Sequence, residues 1–222
     1  KLNVFRYKIL LSTGMSSYID IIKAINTIAK KKVYEFRKGK VFIINKKIYQ
    51  KIKKNLCLLH CVTDYPVKDN FANLNCVDNF IKDFKLVTGY SDHTLGILAP
   101  LISASKGAKI IEKHFTLDKN MNGPDHAASS TPKEFKEMTK NIRKFELMSG
   151  NGKKKIEKCE LKNIKITRKS IVARVLIKKN HKFTYKNLTA KRPGTGLNPF
   201  LIKELINKKS KRIFNPDALI KI

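Results

Sequence analysis

Two histidines carry the strongest chemical signal in this chain. His93 closes the run Gly89-Tyr90-Ser91-Asp92-His93, which Leu86-Val87 leads into; His114 closes Glu112-Lys113-His114, which Lys109-Ile110-Ile111 leads into. Each therefore sits at the end of an apolar, strand-like stretch. Two consecutive parallel strands of a barrel present their C-terminal ends at one rim, where barrel enzymes place their chemistry. A lone histidine reads as a structural hydrogen-bonding residue. A pair on one rim reads as half of a metal site, with water and substrate completing the coordination, and open positions suit Lewis-acid catalysis.

Other polar residues cluster at further strand ends. Ser12-Thr13-Gly14, Thr63 and Ser91 fall at or just past three of them. Hydroxyls and free backbone N–H groups gathered there can hold a phosphate, although ordinary loop polarity would look the same. Asp125, in Gly123-Pro124-Asp125-His126, is either a site carboxylate or an Asp closing a turn. Arg192, held between Lys191 and Pro193, is either a fixed fork for a carboxylate or carbonyl, or one more surface arginine.

The elements that must position these residues follow from apolar patterning. Ile9 to Ser12 reads as a buried strand. Ser16-Ser17 offers an N-cap to a helix whose apolar positions include Ile19, Ile22, Ile25 and Ile28. A basic stretch, Lys30 to Lys54, holds its own alternation at Val41 to Ile44. Leu56 to Cys61 is a second buried strand, Tyr65-Pro66 opens a loop, and Phe71 to Phe84 is helical in part. Leu86 to Tyr90 is a third strand, Leu98 to Ser105 a helix ended by Gly107, and Lys109 to Phe115 a fourth strand. Thr131-Pro132 with Glu134 starts a long amphipathic helix reaching about Met148. Strand and helix thus alternate four times, the pattern of a parallel sheet with helical crossovers: half of an eightfold barrel, or an open sheet. Ser149 to Lys155 has linker composition. Beyond it come short alternating pieces (Ser170 to Ala173, Leu176-Ile177, Phe183-Thr184), the turn Arg192 to Gly196 and a brief helix at Leu201 to Ile206.

Composition narrows the class. The 222 residues suffice for one large domain or a medium one plus a small one, and 42% hydrophobic content supports a packed core. No run of 18 apolar residues exists, so no helical membrane span is expected. The net charge of +31 would attract nucleic acid, but the basic residues lie in short scattered runs without interleaved aromatics. A solvated basic surface is the favoured reading, one whose field would still help a small anionic substrate. Cys57, Cys61, Cys76 and Cys159 form no CxxC pair, and reduced thiols in a cytoplasmic protein are expected.

Taken together, the motifs resemble the N-acetylneuraminate (sialic acid) synthase family. The matching runs are Leu11-Ser12-Thr13-Gly14-Met15, Leu58-Leu59-His60-Cys61, Tyr65-Pro66, Ser91-Asp92-His93-Thr94-Leu95-Gly96, Ile111 to Asp118 and Gly123-Pro124-Asp125-His126. Arg168 to Ala173 and Lys191 to Gly196 resemble that family's C-terminal antifreeze-like (SAF) domain. The implied fold is α/β: the C-terminal half of a TIM (β/α)8 barrel over residues 1–148, a linker over 149–163, and a small β-rich SAF (β-clip) domain over 164–222.

The implied reaction joins phosphoenolpyruvate, N-acetylmannosamine or a related N-acyl sugar, and water, giving a nine-carbon sialic acid and phosphate. His93 and His114 would hold a divalent metal, manganese or magnesium. Ser12, Thr63 and Ser91 would bind the phosphate. Tyr65 would line the pocket, Asp125 would bond sugar hydroxyls with a catalytic part, and Arg192 would reach the N-acyl group of a substrate in the partner subunit. A domain-swapped homodimer is implied, with no nucleic-acid or membrane partner. The resemblance also implies that the chain starts at the fifth barrel strand, lacks the first four, and is inactive alone. Lys30 to Lys54 is longer than the family's usual connection, and lies on the face opposite the site. Two other classes compete with the synthase: an inactive remnant binding a glycan or partner, and a basic nucleic-acid-binding protein.

Overall fold

The first strand is less buried than its apolar run predicts: Leu10 is 49% exposed, because that strand is the edge of its sheet and pairs there with one neighbour only. In the computed structural model, which describes residues 4–221, β1 (Ile9–Ser12) runs parallel to β4 (Leu56–Cys61), with Leu11 opposite Leu58. β5 (Val87–Asp92) follows on the other side of β4, and β6 (Ile111–Lys113) lies beyond it, so the four-stranded parallel sheet has the order β1-β4-β5-β6. The crossovers are helical: α1 (Tyr18–Ile28), α3 (Asn75–Phe84) and α4 (Leu98–Ser105), with α5 (Pro132–Ser149) after β6. The chain divides into two compact units, Lys1–Asn151 and Gly152–Ile222.

Local chemistry explains the helix starts. Ser17 and Asp20 form a reciprocal capping box on α1, as Thr131 and Glu134 do on α5, where Pro132 occupies the first turn. Each box satisfies two backbone donors that a helix start leaves without partners. The neighbouring Lys119 ammonium, with the Thr131 N–H and hydroxyl, holds the Glu134 carboxyl down to about 2, so it stays ionised as the cap requires.

The basic stretch is more ordered than its composition implied. It holds an antiparallel hairpin, β2 (Tyr34–Arg37) with β3 (Lys40–Ile43), and a helix α2 (Lys46–Ile52). Its two tyrosines enter the main core, while Phe36 and Phe42 stay exposed. Tyr34 and Ile52 are fully buried with Ile25, Leu58 and Phe84. The Tyr34 hydroxyl donates to the Phe84 carbonyl (2.6 Å), and Tyr49 donates to the Lys85 carbonyl (2.7 Å).

One residue of β5 has no room for a side chain. A Cβ on Gly89 would lie 2.6 Å from the Ile110 carbonyl oxygen and 2.4 Å from Leu59 Cδ2. The carbonyl is backbone and cannot swing aside. Gly89→Ala is therefore expected to cost about 1–3 kcal/mol through forced displacement, read as a lower urea midpoint at unchanged m.

The second unit carries a helix α6 (Leu161–Thr167) inside the stretch 149–167 that the sequence divided between linker and domain start. It holds an antiparallel pair, β7 (Ser170–Ala173) with β8 (Leu188–Lys191), a separate isolated bridge between Ile177 and Phe214, and a helix α7 (Ile202–Leu205). Ile171, Ile177, Phe183, Leu188, Phe214 and Ile220 form its core. No helix among the described residues is long and apolar enough to cross a membrane.

Candidate active site

Register brings the two histidines together. Ser91 pairs with Glu112 and Asp92 with Lys113 across β5 and β6, so one step further His93 stands opposite His114. Alternation along the strands gives each face its own residues. Tyr90 and Asp92 share the side that the helices cover, where Tyr90 packs with Val77 and Ala108. Ser91 and His93, with Glu112 and His114, share the other side.

The imidazole ring centres of His93 and His114 are 5.4 Å apart, at 79° to each other. Two imidazoles bound to one ion at about 2.0–2.1 Å put their ring centres roughly 5 Å apart, so this separation fits a shared cation. The donor chemistry fits as well. His93 Nδ1 lies 2.7 Å from the Val62 carbonyl oxygen, which can only accept, so Nδ1 carries the proton and Nε2 keeps its lone pair. The backbone on either side is tied down: the His93 carbonyl accepts the Val67 N–H, and the His114 carbonyl accepts the Ser130 N–H, each at 2.9 Å. Among the described residues no cluster of three or more His, Cys, Asp or Glu suited to a metal occurs, so remaining positions on such an ion would fall to water or substrate.

Tyr65 closes the other side. Its ring centre is 4.2 Å from that of His93 and 5.5 Å from that of His114. Its phenol is pushed above the ordinary value, by partial burial first and then by Cys61, Asp125 and Glu112, so it stays a proton donor. Asp125 Oδ2 is 3.7 Å from His114 Nδ1, and both side chains are partly exposed. The hollow between Tyr65, Asp92, His93, His114, Asp125 and Ala128 has a volume of about 10 Å³, room for one water-sized group.

The hydroxyl residues separate. Ser91 is buried, and its Oγ donates to Glu112 Oε1 at 2.6 Å. Thr63 lies against Gly14, where a Cβ would stand 2.1 Å from the Thr63 hydroxyl oxygen, so Gly14 is the residue that lets that hydroxyl in. Cys61 shares this corner: its thiol meets Ser91, Glu112, Gly14 and Thr63, and burial raises its ionisation above the ordinary value. Ser12 ends β1 exposed, and β1 pairs within the sheet only with β4. Arg192 lies in the second unit, where its Nε donates to the Thr167 carbonyl at 3.0 Å.

Sequence reasoning missed three charged residues here: Glu112, Asp92 and Lys113. The last two form an ion pair of 2.5 Å with side chains 0% and 1% exposed. The available signal was the placement of a charged residue just before each histidine at a strand end.

His60 sits two residues before Val62 and does something different. It is buried, stacks on Tyr90 and donates from Nε2 to the Ala72 carbonyl (2.8 Å). Burial pushes its pKa below the usual histidine value, with the Ala72 bond opposing. The unfolded chain takes up this proton at the ordinary value, so its contribution to stability is complete above about pH 6.5 and is lost as pH falls through the lower folded value. The melting temperature is expected to fall between about pH 7 and pH 5, and His60→Gln should flatten that acid-side slope.

Comparison with known proteins agrees with this architecture. Residues 1–154 match the NeuB family, and the chain belongs to that family. It is 50% identical over 137 residues to an uncharacterized protein of Methanocaldococcus jannaschii, covering 62% of this chain and 41% of that one. It is 49% identical over 142 residues to the N,N'-diacetyllegionaminic acid synthase of Campylobacter jejuni, covering 64% of this chain and 42% of that enzyme. The chain thus spans about two-fifths of the length of these relatives. Among solved structures, the N-acetylneuraminic acid synthetase of Leptospira borgpetersenii, crystallised with citrate, is similar at a TM-score of 0.55 and 30% identity, covering 71% of this chain and 48% of that one.

Proposed function

We propose that this chain carries the metal-binding part of a synthase that condenses phosphoenolpyruvate with an N-acylmannosamine-type sugar and water, forming a nine-carbon sialic acid and phosphate. The observation that carries the reading is the His93–His114 pair: ring centres 5.4 Å apart at neighbouring strand ends, in a chain of the NeuB family. The synthase of Campylobacter jejuni noted above supports the reaction class, and its name supports an N-acylated sugar.

Bound by His93 and His114, manganese or magnesium would supply Lewis-acid polarisation of the sugar aldehyde, toward attack by the methylene carbon of phosphoenolpyruvate. The chain's own residues do the rest. Thr63 and Ser12 offer hydroxyls to the phosphate, and Ser91 joins them if its hydroxyl turns from Glu112. Tyr65, kept protonated, donates to a substrate oxygen and walls the pocket. Asp125 is exposed on its loop and accepts bonds from sugar hydroxyls. Arg192, on an antifreeze-like second domain, reaches the N-acyl group of a substrate in the partner subunit of a swapped homodimer. The net charge of +31 raises the local concentration of the anionic substrate.

The test is phosphate release from phosphoenolpyruvate, with the chain assayed in its complete reading frame. Release that requires both Mn²⁺ and an aminosugar, in a panel holding N-acetylmannosamine and a diacetamido sugar, is expected. Release without any sugar, or none with any member of the panel, would count against the proposal.

A further inference from the structure

An ion pair stands immediately before the two histidines along their strands. Asp92 and Lys113 each precede a histidine by one residue and face each other across β5 and β6. Lys113 Nζ donates to Asp92 Oδ2 at 2.5 Å and to the Thr94 carbonyl at 2.8 Å. Asp92 Oδ1 accepts the Thr94 N–H at 2.8 Å. Both carboxylate oxygens are thereby engaged, and the Tyr90 phenol bonds to Asp92 as well.

Stability alone is a poor reason for this arrangement. Taking two charges out of water costs several kcal/mol per ion, and a well-packed apolar pair often serves a core equally well. Val77 and Ala108, packed against the ring of Tyr90, show that apolar packing is available there. What an apolar pair lacks is direction. The three bonds fasten the residue before His93, both backbone groups of the residue after it, and the residue before His114. They fix the register of β5 on β6 and the turn that leaves β5. The Val62 carbonyl then sets only the rotation of the His93 ring.

We infer that Asp92 and Lys113 are positioning residues, which hold His93 and His114 at the separation a shared divalent ion requires. The inference rests on the metal reading given under the proposed function. Neither residue touches the ion; each acts through the backbone of its neighbouring histidine. A metal ligand held by a directional partner typically loses about 10–100-fold in metal affinity when that partner is removed.

The test uses the 222-residue chain with Mn²⁺ alone as probe, titrated by calorimetry, and thermal melting by circular dichroism as a second readout. Asp92→Asn with Lys113→Gln removes both charges and keeps hydrogen-bonding groups. Lys113→Arg keeps the charge and changes the shape. The double variant is expected to melt cooperatively and to bind Mn²⁺ about 10–100-fold more weakly, while His93→Ala binds none. Wild-type Mn²⁺ affinity in His93→Ala would overturn the metal reading and the inference with it. Loss of binding in His93→Ala beside wild-type affinity in the folded double variant would leave the metal reading standing and overturn the positioning role. Should the double variant not fold, Lys113→Arg decides: weakened binding at an unchanged melting temperature supports the role, and wild-type binding overturns it.

Discussion

Replacing either His93 or His114 by alanine is expected to abolish Mn²⁺ binding, and with it sugar-dependent phosphate release. One imidazole would remain, and no group of three or more His, Cys, Asp or Glu able to hold a metal occurs among the described residues. The loss should exceed the roughly 10–100-fold that removal of an outer partner costs. His60→Gln is the matched control, because that imidazole is buried between Tyr90 and Phe80 with its Nε2 spent on Ala72. It should leave Mn²⁺ affinity unchanged. Calorimetry on the three variants reads the result directly; equal affinities in all three would remove the histidine pair from the chemistry.

Asp92→Ala should produce the largest change in stability. It leaves the Lys113 ammonium inside the protein, its side chain 1% exposed, with only the Thr94 carbonyl to meet it. Breaking a buried pair by deleting one partner typically costs about 3–5 kcal/mol, because the remaining charge is uncompensated. For comparison, removing an exposed pair such as Arg143–Glu146, with side chains 70% and 53% exposed, should cost no more than about 1 kcal/mol. Urea titration of Asp92→Ala and Glu146→Ala separates the two cases. A midpoint for Asp92→Ala close to that of Glu146→Ala would show that Lys113 escapes to water in the variant.

Different parts of the molecule were legible in the sequence to different degrees, for physical reasons. Leu56–Cys61 was readable as a buried strand because a sheet covered by helices demands nearly continuous apolar runs, whereas Ile9–Ser12 was readable as a strand but not as the half-exposed edge that it forms. The long helix Pro132–Ser149 announced itself through Thr131, Pro132 and Glu134, whose roles are local. The hairpin was only half visible. Val41 to Ile44 is a continuous apolar run whose exposure alternates in the strand, but Tyr34–Arg37 has two charged residues in four, and its pairing depends on the left-handed turn at Lys38 and Gly39. Helix Lys46–Ile52 was hidden by its three lysines and short length; its place is set by Tyr49 and Ile52 packing on the core.

The site shows the same division. His93 and His114 stood out because each ends an apolar run. Ser91 with Glu112, and Asp92 with Lys113, did not, because each partnership exists only across a strand register that no local pattern states. One error in register would pair each carboxylate with a different neighbour and turn it to the other side of the sheet.

The lysine-rich excursion between α1 and β4 has a consequence for how this fold tolerates editing. Two of its phenols, Tyr34 and Tyr49, supply hydrogens to the last carbonyls around the end of α3, and Tyr18 reaches Asp83 one step earlier. Such carbonyls are normally met by water or by a capping turn. Here the excursion acts as a rivet: shortening it to a bare connection would leave those carbonyls to water and open Phe84 to solvent, so a trimmed variant should be less stable.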